Sequence, residues 1–213
     1  MCPALFLNKN EETLIRRVAS TGALVFEVAE EPFRKMAFRQ RSEGLLAVAP
    51  QLRRQLATYQ PVENGCYLFA EALEKPGNLG TLLRSADGAG ANGVIVCDPC
   101  TDIWHPDVIH GSIGAFFGLP IFECTTEEAL AWCRQWNIRT LAATPQAERL
   151  YTEIDMRGAI AIAVGTEQYG LSHTWLTAAD EQIKLPMLGT ANSLNVAMAA
   201  TLLLYEVVRQ RTA

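Results

Sequence analysis

The sequence predicts an α/β fold, a mostly parallel sheet with helices on both faces, preceded by a small N-terminal α+β module. Three observations predict it. From residue 64 onward, short apolar runs alternate with stretches of helical periodicity. The apolar runs carry little polar alternation, as expected of strands covered on both faces. No internal repeat or low-complexity tract interrupts the pattern. Alternating β and α units of this kind pack as a sheet between two helical layers.

The elements follow in order. In residues 1–50, helices are expected at 11–19 and 32–38 and strands at 22–28 and 45–49. About fifty residues barely support a core of their own. This module therefore docks on the rest or is a shortened form of something larger. Residues 51–63, with Pro61, bridge to the main domain at 64–213. There, strands are expected at 65–72, 93–97, 120–123, 139–143, 159–164 and 181–184, and helices at 79–91, 105–116, 126–135, 171–178 and 193–211. Gly88, Gly90 and Gly93 have the look of a dinucleotide fingerprint, but they close a helix and lead into a strand, so they read as a helix stop. The last helix is apolar nearly all round, with Leu194, Val196, Met198, Leu202, Leu203, Leu204, Val207 and Val208. Such a helix is buried on more than one side, inside one domain or in a dimer interface.

With 213 residues, 49% of them hydrophobic and 19% charged, the chain has the composition of a globular protein with a sizeable core. Its longest apolar run near the C-terminus, 196–204, falls short of the ~18 residues of a membrane span. The N-terminus lacks the basic and apolar regions of a signal peptide. The six cysteines, at 2, 66, 97, 100, 124 and 133, are expected to be reduced thiols in a cytoplasmic protein. Cys97 and Cys100 followed by His105 and His110 hold zinc-ligand residue types, but the spacing matches no standard finger, and no metal is expected.

Net charge is −5, which argues against a uniformly basic nucleic-acid binder. The distribution is uneven. Residues 1–60 carry nine Lys/Arg against six Asp/Glu, a net of +3, and residues 61–213 carry nine against seventeen, a net of −8. Arg34, Lys35, Arg39 and Arg41, interleaved with Phe33 and Phe38, can meet phosphates and stack bases; on the residues alone, a solvated helix face is the simpler account of them.

Three segments carry chemistry. Lys75-Pro76-Gly77-Asn78-Leu79-Gly80 leads into Arg84 after an apolar run. Gly165-Thr166-Glu167-Gln168-Tyr169-Gly170-Leu171-Ser172 follows a second such run. Leu185-Pro186-Met187-Leu188-Gly189 precedes Ser193-Leu194-Asn195-Val196 and the last helix. Each places a glycine-containing loop at a strand end before a helix, where backbone N–H groups are free for a ligand. Helix capping by Asn78 or Ser193 and a surface ion pair by Arg84 would explain the same residues without function.

Together, in this order, the three segments resemble the three motifs of the SpoU (TrmH-like) RNA 2′-O-ribose methyltransferases of the SPOUT superfamily: N-x-G-x-x-x-R, G-x-E-x-x-G-L-S, and a P-M-x-G and S-L-N-V pair. The resemblance implies a C-terminal trefoil knot, S-adenosylmethionine as cofactor, structured RNA as substrate and a homodimer with a shared site. It implies catalytic roles for Arg84, Asn78, Glu167, Ser193 and Asn195. It implies cofactor contacts near Gly165, Leu185, Met187 and Leu194, with Thr144 a weaker candidate. The family assigns the residue matching Arg84 as catalytic, even as a base. A guanidinium with a pKa of roughly 12.5–13.8 deprotonates poorly, so clamping phosphate and stabilising alkoxide charge is the easier role. Glu167 is expected to hold Asn78 or Arg84.

The segment Ser42-Glu43-Gly44-Leu45-Leu46-Ala47-Val48 resembles the end of the substrate-binding domain that precedes many SpoU catalytic domains, which favours rRNA over tRNA. Two departures stand out: Gln168 where Gly is common, and His110 where the family often has Arg. Two other classes compete. One is a non-catalytic RNA-binding protein that retains the fold; the polar residues of the motifs argue against it. The other is a nucleotide-binding α/β enzyme, against which the missing P-loop and Rossmann fingerprint count.

Overall fold

The computed structural model describes residues 1–38 and 43–212 and divides the chain into two compact units, Met1–Gln51 and Leu52–Ala213.

The first unit contains α1 (Asn10–Ser20) and α2 (Glu30–Met36). The strands expected at 22–28 and 45–49 do not form among the described residues. Both segments are apolar enough, but neither finds a ladder. The stretch 22–28 is held at its far end by Met1, whose terminal ammonium donates to Phe26 O (2.7 Å) and whose carbonyl accepts from Val28 N (2.8 Å). β-propensity without a partner strand gives extended chain, not sheet.

The second unit is built on seven strands: β1 (Cys66–Glu71), β2 (Gly93–Cys97), β3 (Ile121–Cys124), β4 (Arg139–Ala143), β5 (Arg149–Leu150), β6 (Ile160–Val164) and β7 (Glu181–Lys184). They form one sheet in the order β3-β2-β1-β6-β4-β7-β5, and every pair is parallel. The central strands β1, β2 and β6 are buried throughout, which is why they read as unbroken apolar runs. Alternate residues face opposite layers. Leu68, Ala70, Val94, Val96, Ile160 and Ile162 join one core with Leu79, Leu82 and Leu83 of α3 (Pro76–Gly88) and Leu203 and Leu204 of α8 (Val196–Thr212). Tyr67, Phe69, Ile95, Ala161 and Ala163 join the other with Trp132 of α6 (Thr126–Gln135) and Trp175 of α7 (His173–Ala178). Residues 52–63, expected to link the two units, pack on the second one: Leu56 is buried, and the Tyr59 ring lies 4.8 Å from Phe122 and 6.2 Å from Trp132.

Several helix bounds differ from expectation for local reasons. The stretch 105–116 is two helices, α4 (Pro106–Gly111) and α5 (Ala115–Gly118), because Ile113 (φ 49°) and Gly114 (φ 91°) turn left-handed between them. His105 caps α4, its Nδ1 accepting from Asp107 N at 3.1 Å. α3 begins three residues early, at Pro76, where proline suits a first helical position. α8 begins late, at Val196, and its cap is Asn195 rather than Ser193: Asn195 Oδ1 accepts from Ala197 N at 3.0 Å. Cys66 and Cys133 are buried free thiols, pushed up to about 11 and about 12 by burial, which makes them poor nucleophiles.

Candidate active site

At the C-terminal ends of β4, β6 and β7 the chain encloses a cavity of about 410 Å³. Ligands in open α/β sheets bind at this end of the strands. Its wall holds Thr144 after β4, Gly165 after β6, Leu185 and Met187 after β7, and Ser193 and Leu194 ahead of α8. All five residues expected near the cofactor therefore border one space, although they come from three separate stretches of chain.

Gly165 has a steric reason to be glycine. A Cβ there would lie 2.1 Å from Gly170 O and 2.4 Å from Leu171 N, both backbone. The closeness arises because Thr166 and Gly170 exchange two backbone hydrogen bonds of 3.0 Å each, folding the loop onto itself, while Gly170 supplies the left-handed turn (φ 70°). The loop is fastened at its far end by Glu71, a buried carboxylate closing an otherwise apolar strand. Glu71 accepts from Ser172 N (2.7 Å) and from Thr126 Oγ1 (2.8 Å). Sequence reading passed over Glu71, whose signal was a charge at the end of a buried run. At Thr144 the hydroxyl donates to Gln146 Oε1, so that side chain stays at the cavity wall.

Beside the cavity the three motifs meet at Glu167. Its Oε1 accepts from Asn78 Nδ2 (2.9 Å) and Asn195 Nδ2 (2.6 Å), and its Oε2 pairs with Lys75. Asn195 Nδ2 also reaches Asn78 Oδ1 at 3.2 Å. These donors, Lys75 first and then Asn78, hold the Glu167 carboxyl below its ordinary range. The expectation that Glu167 holds Asn78 is met; Arg84 is not tied to it. Arg84 is exposed on α3, and neither it nor Ser193 has a hydrogen bond or ion pair to another described residue. Lys75 was outside the expected set, since it precedes the motif and nothing in its spacing points across to Glu167.

In the first unit, Arg34 and Lys35 lie on α2 and pair with Glu30 (2.7 Å) and Glu31 (2.9 Å) one turn back. Arg39 and Arg41 lie outside the described residues.

The family model described as the SpoU rRNA methylase family matches residues 65–205. This chain belongs to that family. Among curated relatives, a 23S rRNA uridine 2′-O-methyltransferase of Streptomyces viridochromogenes is 37% identical over 64% of this chain, which spans 50% of that relative's length. Among solved structures, an RNA 2′-O ribose methyltransferase is 42% identical with a TM-score of 0.84, over 97% of this chain and 78% of that one. An AdoMet-bound rRNA methyltransferase from Sinorhizobium meliloti is 28% identical with a TM-score of 0.86, over 93% and 77%. The seven-stranded parallel α/β architecture is thus that of SPOUT methyltransferases.

Proposed function

We propose that this chain is an S-adenosylmethionine-dependent methyltransferase acting in the cytoplasm on a ribose 2′-hydroxyl of structured RNA, and that the RNA is ribosomal. The observation that carries the reading is the convergence of Asn78, Glu167 and Asn195, one from each motif, on hydrogen bonds of 2.6–3.2 Å beside a cavity walled by the same loops. The cavity suits the cofactor. Its volume of about 410 Å³ lies within the range of small-molecule sites. Leu176, Leu185, Met187 and Leu194 offer apolar surface, and the strand ends offer backbone polar groups. When bound there, S-adenosylmethionine supplies an electrophilic methyl carbon.

The chain's own residues act on the acceptor. A ribose hydroxyl is a very weak acid, so charge developing on its oxygen needs a fixed positive partner. Arg84, exposed and uncommitted among the described residues, is that partner and can also grip a neighbouring phosphate in bidentate fashion. Glu167 holds Asn78 and Asn195, which leaves Ser193 free to meet the ribose. The test is transfer of tritiated methyl to fragments of rRNA, followed by nucleoside analysis. Label in 2′-O-methylnucleosides is expected. Label in bases, no label, or label on tRNA transcripts alone would overturn the assignment.

The same reading carries a C-terminal knot and a homodimer. The sheet order supports the first: β7, which follows β6 in the chain, lies between β4 and the edge strand β5. For the second, α8 buries Leu203, Leu204 and Val207 but leaves Met198, Leu202 and Tyr205 at 62%, 46% and 50% exposure, one apolar stripe at helical spacing. Leu202→Asp is expected to give a monomer by sedimentation at micromolar concentration and to abolish activity with it. A fully active monomer would contradict the shared site.

RNA attraction is assigned to the N-terminal segment 1–60, which carries a net charge of +3 against −8 for residues 61–213. The ion pairs of Arg34 and Lys35 with their own helix are worth only about 0.3–0.5 kcal/mol each, so phosphates compete for them easily. Replacing Arg34, Lys35, Arg39 and Arg41 by Gln should lower the slope of log K against log salt by about 0.7–0.9 for each phosphate that is no longer neutralised. Cofactor affinity should stay constant. Filter binding across a salt series measures this, and equal slopes would remove the segment from RNA recognition.

A further inference from the structure

We propose that Lys75 is a positioning residue of the transfer site: by pairing with Glu167 it fixes that carboxylate and, through it, the side-chain amides of Asn78 and Asn195. The role rests on the methyltransferase reading above.

An ionised carboxylate only accepts hydrogen bonds, so whatever faces it must turn a donor toward it. Both asparagines do so with Nδ2, at 2.9 and 2.6 Å from Oε1. Their carbonyl oxygens are thereby aimed elsewhere. Asn195 Oδ1 caps α8 at Ala197 N (3.0 Å), and Asn78 Oδ1 receives Asn195 Nδ2 (3.2 Å). A protonated Glu167 would itself be a donor and would no longer dictate either amide. Lys75 occupies the other oxygen and favours the ionised form.

The role is orientation and not stability. The pair is 68% and 32% exposed, and such pairs add little to folding. Lys75 also does not border the cofactor cavity, so its loss should leave that space intact. The charged neighbours are few. At the start of α3 stand Lys75 and, acting on Lys75, Glu74; from the head of α8 the group reaching Glu167 is the uncharged Asn195. The Glu167 carboxyl lies below its ordinary range, Lys75 being the largest cause. The ordered site is therefore intact above the folded-state pKa of Glu167 and is lost as pH falls through it. Without Lys75 that pKa rises, and the loss begins at higher pH.

The experiment compares wild type, Lys75→Met and Lys75→Arg in two measurements. In kcat against pH with saturating RNA, Lys75→Met should move the acidic limb toward higher pH and lower kcat about tenfold on that limb, equivalent to about 1.4 kcal/mol. KM for S-adenosylmethionine should stay unchanged, and Lys75→Arg should restore the limb. An unmoved limb, or an equal loss at every pH that arginine does not rescue, would overturn the positioning role. The second measurement is carboxyl-carbon NMR titration of Glu167, which needs no turnover. An unshifted titration in Lys75→Met overturns the pairing even where wild type transfers methyl. A wild-type protein that shows the paired titration but transfers nothing overturns the functional reading instead, and the role with it.

Discussion

Arg84→Ala is expected to reduce methyl transfer by at least one hundredfold while leaving S-adenosylmethionine affinity within about twofold. The reason lies in what Arg84 does not do. It is exposed on α3, forms no hydrogen bond or ion pair with another described residue, and does not border the cavity. Its removal therefore costs the folded chain little, and a large effect on transfer has to come from a partner outside the chain, which on the proposed function is the RNA. Removing a single preorganised donor to developing oxyanion charge costs roughly 10²–10³ in rate. Each tenfold loss is about 1.4 kcal/mol of barrier. Arg84→Lys should be nearly as impaired, because an ammonium cannot reproduce the planar fork of a guanidinium. Single-turnover rates and calorimetric titration with S-adenosylmethionine separate the two effects. An alanine variant that keeps more than about a tenth of the wild-type rate would take Arg84 out of the catalytic role.

Much of the second unit was legible because its physics is local. β2, β4, β7 and α6 fall at the expected bounds. Buried parallel strands announce themselves as apolar runs, and Thr125 with Glu128 forms the capping box that starts α6, with bonds of 3.2 and 2.9 Å. What was not legible depends on distant partners. The segment 45–49 looks like a strand, but no strand forms there among the described residues. β5 has two residues, too few for any period to show. The position of β7 between β4 and β5 is fixed by pairing that no spacing reveals. At the site, the motif resemblance pointed to Gly165, Glu167 and Asn195. It missed Lys75 and Glu71, whose roles exist only where strand ends and loops come together. Capping was expected of Asn78 or Ser193, yet it is Asn195 that caps α8 with its oxygen while meeting Glu167 with its nitrogen.

Gly165→Ala is expected to break the cofactor site from within. A methyl group at this position would sit 2.1 Å from Gly170 O and 2.2 Å from Gly170 C, and neither is a flexible side-chain tip that can swing away. The backbone must open instead. Opening stretches the paired bonds between Thr166 and Gly170 and pulls on Ser172 N, which is held by the buried Glu71 carboxylate at 2.7 Å. The same movement displaces Glu167, so the cavity wall and the motif junction fail together. The expected cost is about 2–4 kcal/mol in stability, as for other steric and backbone-strain substitutions. S-adenosylmethionine affinity should fall at least tenfold, or about 1.4 kcal/mol. Urea unfolding and calorimetry measure the two quantities. Gly158→Ala is the control, since a Cβ there meets no atom within 4 Å, and both quantities should hold steady. Gly170→Ala gives a graded case: it meets no atom within 4 Å but must keep a φ of 70°. That strain costs about 1 kcal/mol, mild enough to leave a folded protein in which cofactor binding can still be read. A Gly165→Ala protein that binds S-adenosylmethionine as tightly as wild type would mean that the loop yields without disturbing the cavity, and the close approach of its two ends would then be a matter of packing alone.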